Sequence, residues 1–205
     1  NLEATRILIE AGKAAGVTDW VFYSTVSTMG PSHKAVGKEV GFNPINPYGA
    51  SKAEAEKLFH ELAEEVPEAR VLIIRPSVVY GPGNPSSTNI YRLIDAIYRK
   101  RFAMVGPGDA IKSTSYIENL LDATLFLMER MEPGVQTYIY VDQPALTTGT
   151  LVKRIYQLLG RKPPSWYIPL GVASPVATVS DFAADLTGID FPITAARIEK
   201  FNRST

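Results

Sequence analysis

The sequence predicts an α/β protein built on a parallel sheet. Two short runs of β-forming residues, 20–23 and 70–75, stand on either side of a stretch from Ala50 to Glu65 that is rich in Ala, Glu, Lys and Leu. This order of strand, helix and strand is a βαβ unit, in which the two strands are parallel and the crossover is right-handed. Near the start of the predicted helix, Tyr48 and Lys52 are four residues apart and therefore share one helix face.

Local signals mark the ends of these elements. The first run ends in Ser24 and Thr25, which predicts a buried strand with hydroxyl groups at its carboxyl end. Pro47 suits the first turn of a helix, and the long loop 30–47 predicts a functional segment that covers the site. The predicted helices cover residues 2–15, 48–65, 88–100, 117–131, 150–160, 176–187 and 194–202, and the predicted strands cover 20–24, 70–75 and 137–141.

Tyr48 and Lys52 together are suited to acid–base chemistry. A lysine ammonium beside a phenol favours the phenolate and so lowers the pKa of a tyrosine from its ordinary value of about 10. Such a phenol can give or take a proton near neutral pH, which suits the interconversion of a hydroxyl and a carbonyl by hydride transfer. Because ligands of these sheets bind beyond the carboxyl ends of the strands, we expect Thr25, residues 76–78 and the start of the Tyr48 helix at one edge.

Five segments carry a resemblance to a known family: Val21–Thr25, Tyr48-x-x-x-Lys52, Arg75–Gly83, Ser115–Ala123 and Tyr140–Thr147. In them the chain resembles the extended short-chain dehydrogenase/reductases, specifically the NAD-dependent epimerase/dehydratase branch. The resemblance implies a Rossmann-like doubly wound parallel sheet with a smaller C-terminal substrate-binding part. It assigns residues 1–80 to the C-terminal half of the cofactor domain, with the active site. Residues 81–205 would form mainly the substrate-binding part, with segments at about 110–142 returning to the main domain.

A glycine-rich dinucleotide fingerprint is missing from the sequence. The G-x-G-x-x-G pattern is needed to cradle a pyrophosphate at a helix N-terminus. The segments 81–83 and 106–108 read Gly-Pro-Gly and lack a third glycine, so they predict loop turns. Against the family pattern, roughly the first hundred residues, with the N-terminal strands, are missing. We therefore expect these 205 residues to belong to a longer chain.

The resemblance also implies roles for individual residues. Tyr48 is the expected general acid/base, Lys52 is expected to assist it and to bind the nicotinamide ribose, and Thr25 is expected to hydrogen-bond the substrate oxygen. The expected catalytic residues are thus Thr25, Tyr48 and Lys52; the expected cofactor contacts are Tyr48, Lys52, Pro76, Ser77 and Val78; and the expected substrate contacts are Ser24 and Lys112. The cofactor would be NAD or NADP, with NAD favoured. The sequence predicts no metal site, because its His and acidic residues do not form a cluster with the spacing of metal ligands.

Three functions are compatible with these residues. The first is an NAD(P)-dependent epimerase, dehydratase or reductase acting on a nucleotide-linked sugar, which Lys112 and the segment 142–144 favour. The second is a reductase or dehydrogenase of a hydrophobic alcohol or ketone, as in steroid- and flavonoid-type relatives. Val78, where many sugar-nucleotide enzymes carry Asn, and the apolar stretch 166–179 favour it. The third is a non-catalytic NAD(P)-sensing fragment, which the missing fingerprint favours and the retained Tyr48 opposes.

Composition restricts the partners. The formal net charge is zero, which argues against nucleic acid or an anionic membrane surface as the main partner. No apolar run is long enough to cross a bilayer, and the absence of cysteine fits a cytoplasmic location. The resemblance implies a homodimer formed through the helices 2–15 and 48–65, with a small-molecule substrate.

Overall fold

The computed structural model describes residues 2–30 and 41–172. Two of the predicted helices, 176–187 and 194–202, and most of the loop 30–47 lie outside the described residues. The elements in chain order are α1 (Leu2–Ala14), β1 (Asp19–Tyr23), a 3₁₀ turn (Val26–Thr28), α2 (Pro47–Glu65), β2 (Arg70–Pro76), β3 (Val78–Tyr80), α3 (Asn89–Tyr98), β4 (Ile111–Lys112), β5 (Thr114–Tyr116), α4 (Ile117–Met128), β6 (Gly134–Tyr140), β7 (Leu146–Thr147) and α5 (Thr148–Leu158).

The described residues form two compact units. The first comprises residues 2–30, 41–82 and 114–143, and the second comprises residues 83–113 and 144–172. The first unit contains a parallel sheet in the order β1-β2-β6. In its register, Tyr23 is opposite Ile74, and Ile74 is opposite Tyr138. The three strands therefore end at one edge, as the predicted βαβ unit requires.

The central strand β2 is buried on both faces of the sheet. Val71 and Ile73 join a core cluster with α1 and α2, whereas Leu72 and Ile74 join a cluster with Leu120 of α4. All four β2 residues are at most 1% exposed. Because successive side chains of a strand point to opposite faces, helices on both faces are needed to cover such a strand.

Helix α2 begins at Pro47, the residue that predicts its first turn, and ends at Glu65. Asn46 caps its first turn, with Oδ1 accepting a 2.7 Å hydrogen bond from the backbone N–H of Gly49, and Pro47 occupies the first turn. One face of α2 carries Leu58, Phe59 and Leu62 into the core with α1 and β2. The prediction of 48–65 is thus confirmed to within one residue.

The second unit has its own small core. Ile97 of α3 packs with Met104 and with Val152 and Ile155 of α5. Strands β4 and β7 pair antiparallel, with Ile111 opposite Thr147 and Lys112 opposite Leu146.

Short or irregular elements differ from the sequence predictions. Strand β6 begins at Gly134, three residues before the predicted start at 137, and α4 ends at Met128 instead of residue 131. Strands β3, β4, β5 and β7 were not predicted. Each has only two or three residues, too few for an alternating pattern, and each pairs with a segment distant in the chain.

Candidate active site

The carboxyl end of β1 delivers two buried hydroxyl groups. The backbone N–H of Ser24 donates a 2.8 Å hydrogen bond to the carbonyl of Ile74, so pairing with β2 continues one residue past the strand. Thr25 then caps the 3₁₀ turn, its Oγ1 accepting a 3.2 Å hydrogen bond from the N–H of Ser27. Ser24 and Thr25 are 4% and 8% exposed. The cap holds the Thr25 side chain at the sheet edge.

The start of α2 lies directly against that turn. A Cβ atom on Gly49 would be 2.4 Å from the carbonyl oxygen of Ser27, so only glycine fits here without movement of the backbone. Tyr48 precedes this glycine and is 51% exposed. The segments that carry Thr25 and Tyr48 are therefore in contact at the edge of the sheet, as the sequence predicts.

Lys52 lies one helical turn after Tyr48. Its Nζ donates a 2.8 Å hydrogen bond to the backbone carbonyl of Tyr23 and lies 4.5 Å from the centroid of the Phe22 ring. Burial lowers the pKa of Lys52 below the ordinary value of 10.5, while the negative charge of Glu56 acts in the opposite direction. The lysine is thus held at the end of β1 by backbone and ring contacts.

A buried ionic cluster lies on the same helix, one turn further on. Glu56 is fully buried, and its carboxylate accepts hydrogen bonds from Arg75 at 2.7 Å from Nη2 and 3.0 Å from Nε. Ser24 Oγ also donates to Glu56 Oε1. Arg75 is 5% exposed, and its Cζ lies 5.2 Å from the centroid of the Phe42 ring. Among the described residues, the buried Arg75 Nη1 has no hydrogen-bond partner.

The carboxyl end of β2 is tied to β6 and β5. The N–H of Ser77 donates a 3.1 Å hydrogen bond to the carbonyl of Tyr140, which also accepts one from Ser115 Oγ. The Oγ atoms of Ser77 and Ser115 are 2.9 Å apart. Val78 follows as the first residue of β3 and is 38% exposed. Residues 76–78 therefore form a braced segment at the same edge of the sheet.

Asp142 organises the adjoining start of α4. Its Oδ2 accepts a 2.6 Å hydrogen bond from the N–H of Tyr116, and its Oδ1 accepts one from Asn119 Nδ2 and one from the Tyr140 hydroxyl. Burial, then the hydrogen bond to Asp142 and the charges of Asp142 and Asp122, raise the pKa of Tyr140 to about 12. A carboxylate at a helix N-terminus also stabilises the exposed N–H groups of the first turn.

The described part of the chain offers neither a metal cluster nor a membrane span. His, Asp and Glu side chains do not gather there in groups of three that could hold a metal ion. None of its helices combines the length and the apolar character needed to cross a membrane. The 19-residue α2, for instance, carries an exposed ion pair of 2.7 Å between Lys57 and Glu54.

A match to a family profile identifies the family of this chain. The profile described as "NAD dependent epimerase/dehydratase family" matches residues 1–141. The chain belongs to the NAD-dependent epimerase/dehydratase family. The resemblance inferred from the five sequence segments is confirmed, and so is the Rossmann-like α/β fold that it implied.

Two relatives of this chain are epimerases of linked sugars, by their names. The chain is 31% identical over 206 residues to N-acetyl-alpha-D-glucosaminyl-diphospho-ditrans,octacis-undecaprenol 4-epimerase of Escherichia coli O157:H7, covering 100% of this chain and 62% of the relative. It is 27% identical over 177 residues to UDP-glucose 4-epimerase of Vibrio cholerae, covering 84% and 52%. The chain thus spans between half and two thirds of the length of these curated relatives.

A solved structure with a similar fold contains both a cofactor and a sugar nucleotide. It is MoeE5 in complex with UDP-glucuronic acid and NAD, with a TM-score of 0.71 and 27% sequence identity over 82% of this chain and 56% of that chain. Solved structures with this fold therefore include an NAD complex.

The predicted site residues of this chain fall into two groups in its structure. Ser24, Thr25, Tyr48, Lys52 and residues 76–78 belong to the first unit, at the carboxyl edge of its sheet, whereas Lys112 belongs to the second unit, on β4. The Ser24 hydroxyl donates to Glu56, a contact that does not support its predicted role toward substrate; that role stays a prediction.

Sequence reasoning did not single out Glu56. One signal was available, because Tyr48, Lys52 and Glu56 are spaced by four residues and so lie on one helix face.

Proposed function

We propose that this chain carries the catalytic part of an NAD-dependent enzyme that interconverts a hydroxyl and a carbonyl on a nucleotide-linked sugar, as an epimerase or dehydratase. One observation carries the proposal. The exposed Tyr48 and the half-buried Lys52 lie on one face of α2, and the start of α2 abuts the turn that Thr25 caps at the carboxyl edge of a parallel sheet. Ligands of such sheets bind at this edge.

Each of the three side chains has a distinct proposed role. The Tyr48 phenol oxygen takes the proton of the substrate hydroxyl as the carbonyl forms, and returns it in the reverse step. Lys52, as a cation one turn away on the same helix face, stabilises negative charge on the reacting oxygen atoms. The Thr25 hydroxyl donates a hydrogen bond to the same substrate oxygen and stabilises its changing charge.

The same edge fits the nicotinamide end of NAD. Lys52 and Tyr48 would hold the ribose hydroxyls, and the backbone of residues 76–78 would hold the carboxamide; this assignment is supported by the bracing of Ser77 against Tyr140 and Ser115. When bound, the nicotinamide accepts a hydride from a substrate carbon and can return it. NAD is favoured over NADP because the neighbour MoeE5 was solved with NAD.

A nucleotide-linked sugar is the proposed substrate class, because the Vibrio cholerae relative is named for UDP-glucose and MoeE5 was solved with UDP-glucuronic acid. Lys112 is the proposed contact for the diphosphate, where its ammonium supplies a point charge rather than the bidentate fork of an arginine. A second candidate is a sugar joined through a diphosphate to a polyprenol, as the name of the E. coli relative describes. Both substrates share the sugar diphosphate.

We also propose a homodimer that uses α1 and α2. Leu58, Phe59 and Leu62 of α2 are buried within the core of this chain and leave the contact to outward residues such as Ile7 and Leu8, which are 61% and 63% exposed. Sedimentation of the wild-type protein and of Leu8→Glu tests this. We expect the wild-type protein to sediment as a dimer and Leu8→Glu to sediment as a monomer. A monomeric wild-type protein would rule the dimer out. A cytoplasmic location remains a prediction from composition.

Replacement of Tyr48 by Phe tests the proposed function. The protein, supplied with NAD, is assayed with UDP-linked sugars and with a polyprenyl-diphosphate-linked sugar. Tyr48→Phe should lower turnover by about 10²- to 10⁴-fold, the usual contribution of a general acid or base, and leave thermal unfolding unchanged because the side chain is half exposed. The control is Tyr98→Phe at an exposed position on α3. Full turnover by Tyr48→Phe would show that the proposal is wrong.

A further inference from the structure

We propose that Glu56 is a positioning residue of this site. Its buried carboxylate holds Ser24 at the end of β1 and Arg75 at the end of β2, and so fixes both strand ends against the α2 face that carries Tyr48 and Lys52. The inference rests on the proposed function and adds to it a residue that touches neither substrate nor cofactor.

The contacts of Glu56 converge from three elements. One carboxylate oxygen, Oε1, accepts from Ser24 Oγ and from Arg75 Nε, and the other, Oε2, accepts from Arg75 Nη2. Glu56 is 0% and Arg75 is 5% exposed. Water therefore does not compete for these hydrogen bonds, and their geometry is set by the protein alone.

Each partner of Glu56 is the chain neighbour of a proposed functional segment. Ser24 immediately precedes Thr25, and Arg75 immediately precedes residues 76–78. On α2 itself, Glu56 is one turn beyond Lys52 and two turns beyond Tyr48, or about 12 Å along the helix. A single carboxylate thus connects the two strand ends with the helix that would supply the acid/base.

Stability alone does not account for charges at this place. Burying an ion pair costs desolvation energy, and well-packed apolar residues of similar size often stabilise a core equally well. The neighbours Ala53, Ala55, Leu58 and Phe59 show that this helix face packs readily with apolar side chains. What an apolar residue could not provide is directional bonding to Ser24 and Arg75 at once.

A double-mutant cycle on Ser24 and Glu56 tests the inference in the full chain. The variants are Ser24→Ala, Glu56→Gln and the two combined, and each is assayed for kcat, KM and cofactor binding at a temperature where circular dichroism shows it folded. Glu54→Gln is the matched control, because it makes the same change at an exposed ion pair two residues away on α2. If Glu56→Gln does not fold, Glu56→Asp replaces it and keeps a carboxylate for Arg75.

The expected result is a loss in kcat by about 10- to 100-fold for each single variant, the size of effect that a small misplacement of catalytic groups produces. The KM for substrate should stay within about twofold. The combined variant should lose no more than the stronger single one, because both substitutions break the same connection. Glu54→Gln should keep wild-type kcat.

Two results would overturn the inference. One is wild-type kcat in Glu56→Gln, and the other is a combined loss equal to the product of the single losses, which would mean that Ser24 acts independently of Glu56. Tyr48→Phe, measured alongside, separates this failure from that of the proposed function. If Tyr48→Phe is inactive and the cycle is multiplicative, only the role of Glu56 is wrong; if Tyr48→Phe is fully active, the proposed function itself fails.

Discussion

Lys52 Nζ donates a 2.8 Å hydrogen bond to the backbone carbonyl of Tyr23, the last residue of β1. The bond joins the helix face of Tyr48 to the strand end that precedes Ser24 and Thr25. Since the acceptor is a main-chain atom, the position of the ammonium group depends on the path of the strand and not on the rotamer of a partner side chain. Substitution of Lys52 should therefore affect chemistry more than folding.

Replacing Lys52 by Met should lower turnover by about 10²-fold or more while the protein stays folded. Methionine is also unbranched, can replace the ammonium over the Phe22 ring by a thioether–ring contact, and removes the charge that the proposed mechanism uses. Loss of one charged hydrogen bond at a half-buried position should reduce the free energy of unfolding by only about 1–2 kcal/mol. Turnover and urea unfolding, measured on the same preparation, test both parts.

Lys52→Arg is the matched control for that substitution. Arginine keeps the positive charge but replaces a compact ammonium with a planar fork, so we expect partial recovery of turnover above the Met variant. Equal turnover in the wild-type and Met proteins would remove Lys52 from the proposed catalytic group.

Replacing Gly49 by Ala should destabilise the protein although alanine favours helices. The added Cβ would lie 2.4 Å from the Ser27 carbonyl oxygen, so α2 or the 3₁₀ turn must move. Overpacking of this kind costs about 1–3 kcal/mol, and the movement would separate Tyr48 from Thr25 and lower turnover as well. Urea unfolding and the turnover assay measure the two effects.

Gly41→Ala is the control, because a Cβ at Gly41 meets no atom of the described residues within 4 Å. This variant should unfold at the wild-type urea concentration. If Gly49→Ala matched it in both stability and turnover, the close approach of α2 to the turn would have no energetic consequence.

The parts of the fold with strong local signals were predictable. Pro47 marks the start of α2, and the apolar run 71–74 marks strand β2, so both elements were located to within a residue. The edge of the sheet that holds Thr25 and Tyr48 followed from the parallel order alone. Strands β3 and β5 have no such signal, since Val78–Tyr80 gains its strand geometry only by pairing with Thr114–Tyr116.

Glu56 shows the limit of sequence reasoning within the site. Glu54 and Glu56 stand two residues apart in a helix rich in Ala, Glu and Lys, yet the Glu54 side chain is 52% exposed and that of Glu56 is 0% exposed. A glutamate in such a helix is ordinarily solvated. Its burial depends on Arg75, which is 19 residues away in the chain and reaches the same place only through the parallel crossover.

Tyr140→Phe should reduce the alkaline loss of stability. The pKa of Tyr140 is about 12 in the folded chain, against an ordinary value of 10.0 that applies after unfolding. Between about pH 10 and pH 12 the unfolded chain therefore loses this proton while the folded chain keeps it, so the free energy of unfolding falls as the pH rises. Phenylalanine has no proton to lose, and the decline with pH should be less steep.

Urea unfolding of the wild-type and Tyr140→Phe proteins from about pH 7 to about pH 12 measures that difference. At neutral pH, where the tyrosine is protonated in both states, the variant should be less stable because it no longer donates the 3.0 Å hydrogen bond to Asp142. The two stability curves should then approach each other as the pH rises above 10. Parallel curves over the whole range would mean that Asp142 and burial do not hold the proton on Tyr140.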